Sequence, residues 1–211
     1  MMNHTSVQQA RESWYREFFR GKTRIIMAWV LSLAIGFYAR EYPSIPGMIL
    51  CFLGASLRYW ASGYLRKDSR PAVGGPYAFV RNPLYLGTYL MAVGAVLSLG
   101  NMILFLVVTL LFATVYHFVI LDEETKLQKI FKEPYYLYCK AVPRFFPRLW
   151  PPFFPAQQKE LIAVNPDLTQ HRFSHELAQE NKAYEAYLSF LGLILYISLC
   201  AYGWSFLTTR I

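Results

Sequence analysis

The stretch GPYAFVRNPLYLG, residues 75–87, decides how the chain folds: a kinked polar approach carrying Arg81 and two tyrosines, Tyr77 and Tyr85, runs straight into an apolar segment. Asn82 reads as a helix N-cap and Pro83 as the first helical residue, where a missing N–H does no harm. Such a helix start presents unpaired N–H groups and the positive end of its dipole, and Arg81 adds a full charge beside them. The combination suits an anion.

Working outward, the apolar run that begins at Pro83 ends near Leu99, and a Gly100-Asn101 turn passes the chain into another run to about Leu121. Upstream runs cover roughly Ile25 to Ala39 and Ile45 to Leu65, and a last one covers Tyr187 to Leu207. In a chain of 211 residues that is 55% hydrophobic and 18% aromatic, these runs predict an all-α polytopic membrane bundle of about five transmembrane helices, since ~20 residues cross a ~30 Å hydrocarbon core. The first and third runs need help from flanking residues to do so. The third and fourth form a hairpin, which returns Asn82 and Tyr85 to the same face as Asp122, Glu123 and Glu124.

Lys and Arg gather before the first run, between the second and third, and between the fourth and fifth, so the N-terminus is expected in the cytoplasm and the C-terminus outside. The expected organisation is a cytoplasmic amphipathic segment (1–24), a membrane core of four spans with a C-terminal cofactor-binding segment (25–147), a cytoplasmic linker (148–186), and a fifth helix with its tail (187–211). Within the first segment, RESWYREFFR (11–20) puts its aromatic residues on one helical arc, facing either the membrane interface or the protein itself. The net charge of +8 lies in short segments between apolar runs without any base-reading motif, so topology explains it and nucleic acid is not an expected partner. Cys51, Cys139 and Cys200 form no CxxC pair and support neither a disulfide framework nor a zinc site. A cleaved signal peptide is not expected either, because a polar stretch precedes the first run and further spans follow.

Glu123 and Glu124 follow the fourth run and stand seven residues beyond Tyr116 and His117, so a continuous helix stacks each acid below its partner and turns at least one carboxylate to the bundle. Acids at a helix C-terminus oppose the dipole and call for a cation nearby. An anion site at Arg81 and Asn82, a cation site at Glu123 and Glu124, and rings from Tyr77, Tyr85, Tyr135 and Tyr138 between them suit a zwitterionic, purine-bearing ligand such as S-adenosylmethionine. Arg58, two turns inside the second run, is costly there unless it faces a cavity or snorkels to the rim.

These residues resemble the isoprenylcysteine carboxyl methyltransferase family and its relatives among the phospholipid N-methyltransferases. Gly75-Pro76-Tyr77, Arg81-Asn82-Pro83, Tyr85 and Gly87 match the family's first block. Glu123, Glu124, Leu127, Phe131, Tyr135, Tyr138, Val142, Pro143 and Pro147 match the second, and Arg58-Tyr59-Trp60-Ala61 looks like the end of the second span in bacterial relatives. The resemblance implies a small helical membrane methyltransferase that binds S-adenosylmethionine through Tyr77, Arg81, Asn82, Pro83, Tyr85, Glu123, Glu124, Tyr135 and Tyr138. Its acceptor is lipid-like or prenylated, with Arg58, His117 and Arg144 beside it, and a bacterial inner membrane is expected rather than the endoplasmic reticulum. Asn82 stands where many members have His, Lys132 replaces a Gly, and Ala141 replaces a basic residue.

Methyl transfer requires positioning more than acid–base chemistry, so both a carboxylate and an amine acceptor stay open. A membrane NADPH-dependent sterol-type reductase shares the motif style, but an acidic pair beside the cofactor repels phosphates. A non-catalytic membrane protein is a further alternative. His171 and His175 are spaced as two metal ligands on a helix, yet the chain holds 4 histidines, too few for a histidine-box oxygenase; no metal is expected.

Overall fold

The computed structural model describes residues 22–66, 71–147 and 172–209, and among them all regular structure is helical. The order is α1 (Lys22–Tyr38), α2 (Ile45–Ser62), a 3₁₀ turn (Gly75–Ala78), α3 (Pro83–Leu97), α4 (Met102–Ala141), α5 (His175–Glu180) and α6 (Tyr184–Thr208). The amphipathic segment at 11–20, His171 and most of the expected linker lie outside the described residues.

Two of the described helices, Met102–Ala141 and Tyr184–Thr208, are long and apolar enough to cross a membrane. The α3 helix has 15 residues, roughly 22 Å at ~1.5 Å each. Length and composition therefore qualify two of the five expected spans. The outward faces of α1, α4 and α6 are nonetheless apolar, with Trp29, Leu33, Ile103, Leu110, Leu188 and Leu195 all exposed. A surface of that kind suits hydrocarbon rather than water.

The tightest joint is between α2 and α3, and glycine makes it possible. A Cβ on Gly54 would stand 2.6 Å from the Gly87 carbonyl oxygen, and one on Gly94 would stand 2.6 Å from the Cys51 backbone nitrogen and 2.7 Å from the Gly47 carbonyl oxygen. Gly47 and Gly54 on one helix, Gly87 and Gly94 on the other, thus repeat every seven residues and bring the two backbones into contact, as small residues do between helices in membranes. Around this seam Ile35 and Ala39 of the α1 end, Cys51, Ala95 and Ile197 form a common core.

Contacts between α3 and α4 run in opposite senses along the two helices: Tyr85 with Tyr116, Tyr89 with Phe112, and Val96 with Leu104 and Val108. The 40 residues of α4 are not one straight rod. Pro134 lacks an N–H and disfavours helical backbone before it, and Lys132 takes φ 50°, ψ −124°. That backbone region is a glycine region, so the lysine is strained where the family pattern has Gly. The break separates the apolar part of α4 from a final segment carrying Tyr135 and Tyr138.

The C-terminal part docks on α2. Asn181 Nδ2 donates to the carbonyls of Ser62 (3.0 Å) and Leu65 (2.7 Å), tying it to the end of α2 and the residues just after it. Ser174 N–H donates to the Gly63 carbonyl at 3.0 Å. Residues 172–183 are therefore packed against the core rather than merely linking it to α6. The α6 helix adds a Tyr196 hydroxyl bond to the Ser32 carbonyl at 2.7 Å, and the Arg40 guanidinium lies 5.1 Å over the Trp204 ring.

Two outcomes follow for thermal unfolding in detergent. Gly94→Ala loses about 1–3 kcal/mol because backbone cannot yield to the added methyl, and an unchanged melting temperature contradicts the seam. Lys132→Gly gains about 1 kcal/mol by relieving the strained φ, and a loss of stability contradicts the break as described.

Candidate functional site

The 3₁₀ turn, the start of α3, the end of α4 and the strap that follows it, Val142–Pro147, meet at one place. Gly75 opens the turn with φ 56°, and a Cβ on it would stand 2.4 Å from the Tyr64 ring; only glycine meets both conditions. The turn buries Pro76 and Tyr77. Pro83 starts α3 fully buried. Two bonds staple the strap onto this helix start: Arg81 N–H donates to the Pro143 carbonyl at 2.9 Å, and Asn82 Nδ2 donates to the Arg144 carbonyl at 3.0 Å.

Glu124 sits at the centre, 4% exposed. Its Oε1 faces Arg81 Nη1 at 3.1 Å, and its Oε2 faces Arg144 Nη2 at 3.0 Å. Arg144 Nε reaches both carboxylate oxygens, at 3.2 and 3.1 Å, and Asn82 Nδ2 approaches Oε1 at 3.4 Å. A buried carboxylate without such donors is strongly disfavoured, so the acid determines where both arginines go. The cluster carries one carboxylate against two guanidinium groups. Arg81 Nε, moreover, is buried with no hydrogen-bond partner among the described residues. A surplus cation and an orphan buried donor mark a place where an anionic ligand group gains a bond.

Glu123 has a different environment. It is exposed, and its Oε2 accepts from the Tyr85 hydroxyl at 2.7 Å, which holds the carboxylate at the edge of the site. The Tyr85 ring lies 5.3 Å from Tyr116, which stacks on Phe112 at 3.9 Å. Phe145, the residue after Arg144, closes this aromatic column against Tyr89 and Phe112. On the other side Tyr135 and Tyr138 are buried with Ala141 and Val142, and the Tyr138 hydroxyl donates to the Tyr77 carbonyl at 2.8 Å. Burial first, then the nearby charge of Glu123 and the Tyr85 hydroxyl, push the Tyr77 phenol well above its ordinary range, so it stays a neutral hydroxyl at every physiological pH.

The sequence-level expectations fare unevenly. Arg81, Asn82, Tyr85, Glu123, Glu124, Tyr77, Tyr135 and Tyr138 are brought together, but the anion and cation sites are not separate: Arg81 is paired directly with Glu124. Asn82 occupies the N-cap position with φ −123° and ψ 58°, yet its side chain makes no cap bond to the helix. The physical reason is competition, because a buried carboxylate and a carbonyl both need its amide hydrogens. Arg144 belongs to the Glu124 cluster. Arg58 lies elsewhere, donating to the Thr88 hydroxyl and to the Leu84 carbonyl at 3.4 Å.

His117 is exposed with its ring edge-on to Phe118 at 5.5 Å, and no ion pair or hydrogen bond among the described residues joins it to the cluster. The seven-residue reasoning placed it correctly on the Glu124 side of α4. However, α3 covers the face of Leu104, Val108, Phe112 and Val115, which at about 100° per residue is nearly opposite that of Ile120 and Glu124. The buried side of α4 changes along its length, so His117 looks outward. Thr88 and Phe145 were missed; Thr88 stands one helical turn beyond Leu84, within reach of an arginine from α2. Among the described residues no group of three or more His, Cys, Asp or Glu gathers to hold a metal, and His175 instead meets the Tyr59 hydroxyl at 3.2 Å.

A helical fold with outward apolar faces and a buried charged cluster at a helix start suits a membrane protein with a polar site at one end. Comparison with known proteins then specifies it. Residues 52–134 match the phospholipid methyltransferase family. The cobalt-zinc-cadmium resistance protein CzcN of Cupriavidus metallidurans is 32% identical over 138 residues, 61% of this chain and 63% of that protein. The nickel-cobalt-cadmium resistance protein NccN of Alcaligenes xylosoxydans xylosoxydans is 32% identical over 105 residues, 49% of each chain. The protein-S-isoprenylcysteine O-methyltransferase of Schizosaccharomyces pombe is 30% identical over 115 residues, 54% of this chain and 46% of that one. The aligned parts thus cover about half to five-eighths of these relatives' lengths. No solved structure gives a significant match. The resemblance to the isoprenylcysteine and phospholipid methyltransferase-like membrane family is therefore shown, and it is carried by residues 52–134.

Replacing the central acid tests the cluster. Glu124→Gln leaves Arg81 buried without a counter-charge and is expected to lose about 3–5 kcal/mol in thermal unfolding, whereas Arg144→Gln, with a 40% exposed side chain, loses far less. Equal losses, or none, contradict the burial described.

Proposed function

We propose that the protein is an S-adenosylmethionine-dependent membrane methyltransferase acting on a lipid-like or prenylated acceptor, in the manner of isoprenylcysteine carboxyl O-methyltransferases. The reading rests on one observation above the others: Arg81 carries an orphan buried donor within a cluster of surplus positive charge. That donor fits the cofactor's amino-acid carboxylate. The exposed carboxylate of Glu123, steadied by the Tyr85 hydroxyl, fits its ammonium group, and the tyrosine rings beside them fit its adenine. Glu124 keeps both arginines in place.

When bound, the cofactor supplies a methyl group on a sulfonium; the acceptor's lone pair forms the new bond to carbon, and the C–S electron pair returns to sulfur. The protein's own residues supply positioning and a dry setting. Phe145, Phe112 and Tyr116 wall the site with rings. An acceptor that is already a carboxylate needs no base. Amine methylation is the second reading, since the Glu123 carboxylate stands at the edge of the site where an amine would approach. The same reading includes a five-span topology with α3 and α4 as a hairpin, the N-terminus in the cytoplasm, and a bacterial inner membrane as the setting.

Calorimetry on the detergent-solubilised chain is the test. S-adenosylmethionine gives saturable heat, NADPH gives none, and Glu123→Gln weakens the former by about ten- to a hundredfold, the worth of a hydrogen bond to a charged group. Tight NADPH binding with no response to S-adenosylmethionine overturns the proposal.

A further inference from the structure

Gly63, just past the end of α2, has φ −73° and ψ −6°, an ordinary right-handed conformation that any residue adopts. Its backbone therefore does not call for glycine. The Phe173 ring does, because a Cβ on Gly63 would overlap it, standing 2.5 Å from its Cδ2. The same ring lies 6.0 Å from the Tyr64 ring and 6.1 Å from Tyr59, and the His175 ring meets it edge-on at 4.8 Å. Tyr64 in turn covers Gly75, where a Cβ would stand 2.5 Å from the Tyr64 Cζ. A line of contacts thus runs from Phe173 through Tyr64 to Gly75, the first residue of the 3₁₀ turn that buries Tyr77.

We infer that Phe173 is a positioning residue for the proposed cofactor site: it presses Tyr64 against Gly75 and so sets where the turn holds Tyr77. The inference rests on the methyltransferase reading for the ligand whose affinity it changes. The two ends of the turn are held differently. On the far side the Arg81 N–H donates to the Pro143 carbonyl, and the Tyr138 hydroxyl donates to the Tyr77 carbonyl. On the near side the hold is packing, with Val73 against the Tyr135 and Tyr138 cluster and Gly75 under Tyr64. Tyr64 follows the last turn of α2, so its ring needs a backstop to stay on Gly75. Phe173 supplies it and is itself fixed: the Ser174 N–H donates to the Gly63 carbonyl, the Ser174 hydroxyl caps α5 at the Leu177 N–H, and Asn181 ties the far end of α5 to Ser62 and Leu65. Close-packed side chains pass a displacement to their neighbours, so removing the Phe173 ring reaches Tyr77 through Tyr64.

The test uses the full chain in detergent, well below its melting temperature, with two readouts: calorimetric affinity for S-adenosylmethionine, and hydrogen exchange at the Tyr77, Phe79, Val80 and Arg81 amides, which are bonded to the Gly74, Pro76 and Pro143 carbonyls. Phe173→Ala is expected to weaken the cofactor about tenfold, the upper worth of an aromatic pair contact, and to speed exchange at those amides by about as much. Phe173→Leu keeps apolar bulk against Tyr64 and recovers most of both. Gly63→Ala displaces the ring from the other side and moves both readouts in the same direction, but adds nothing in the Phe173→Ala background, where its methyl finds room. Ile197→Ala, in the core formed with Ile35, Cys51 and Ala95, lowers the melting temperature at least as far and leaves both readouts as in the parent. Parent affinity or parent exchange in Phe173→Ala, additive losses in the double variant, or an equal loss of affinity in Ile197→Ala overturns the inference. If the turn amides respond as expected but S-adenosylmethionine does not bind even the parent protein, the positioning of the turn by Phe173 stands and the methyltransferase reading falls.

Discussion

A carboxylate taken out of water has to be matched, and the buried Glu124 imposes that requirement on everything near it. Arg81 comes from the loop before α3, Arg144 from the strap after α4, and Asn82 from the helix start itself. One side chain thereby ties the strap after α4 to residues 81–82 at the start of α3, which is how a buried ion cluster specifies an arrangement even where its net contribution to stability is small. The cluster is also unbalanced. Two guanidinium groups share the one buried carboxylate and the Arg81 Nε donor is unused, which is the feature the proposed cofactor's carboxylate would engage.

Packing supplies the frame that this electrostatics needs. The seven-residue glycine repeats on α2 and α3 let two backbones touch, which fixes the height of Asn82 and Pro83 relative to Arg58 on the neighbouring helix. The α3 helix then leans on α4 through aromatic rings near the charged end and through Val96, Leu104 and Val108 farther in. Between those two zones small residues leave an apolar cavity open. Charged site and apolar cavity share a wall, Tyr116.

Much of this was legible in residues 75–87 and 123–124, because turn chemistry, a proline at a helix start and an acidic pair after an apolar run are local signals. The direct pairing of Arg81 with Glu124 was not, since opposite charges can serve one ligand or neutralise each other and sequence spacing is silent on which. Asn82 shows the same limit: its position as a cap was readable, its diversion to a buried carboxylate was not. The side of α4 that carries His117 was readable but its exposure was not, because periodicity assumes one buried face per helix, whereas α4 changes neighbours midway. Lys132 was visible only as a departure from a glycine pattern, and its positive φ gives that departure a physical meaning. The glycine seam lay in plain sight at 47, 54, 87 and 94, but it becomes a constraint only once α2 and α3 are known to be neighbours.

The central claim is that the charged cluster serves methyl transfer to an apolar acceptor. Membranes carrying the protein, incubated with S-adenosylmethionine labelled in its methyl group and then extracted with organic solvent, test it directly. The account predicts label in the solvent-soluble fraction that depends on the protein and falls sharply with Arg81→Leu; label no greater than in membranes lacking the protein contradicts it.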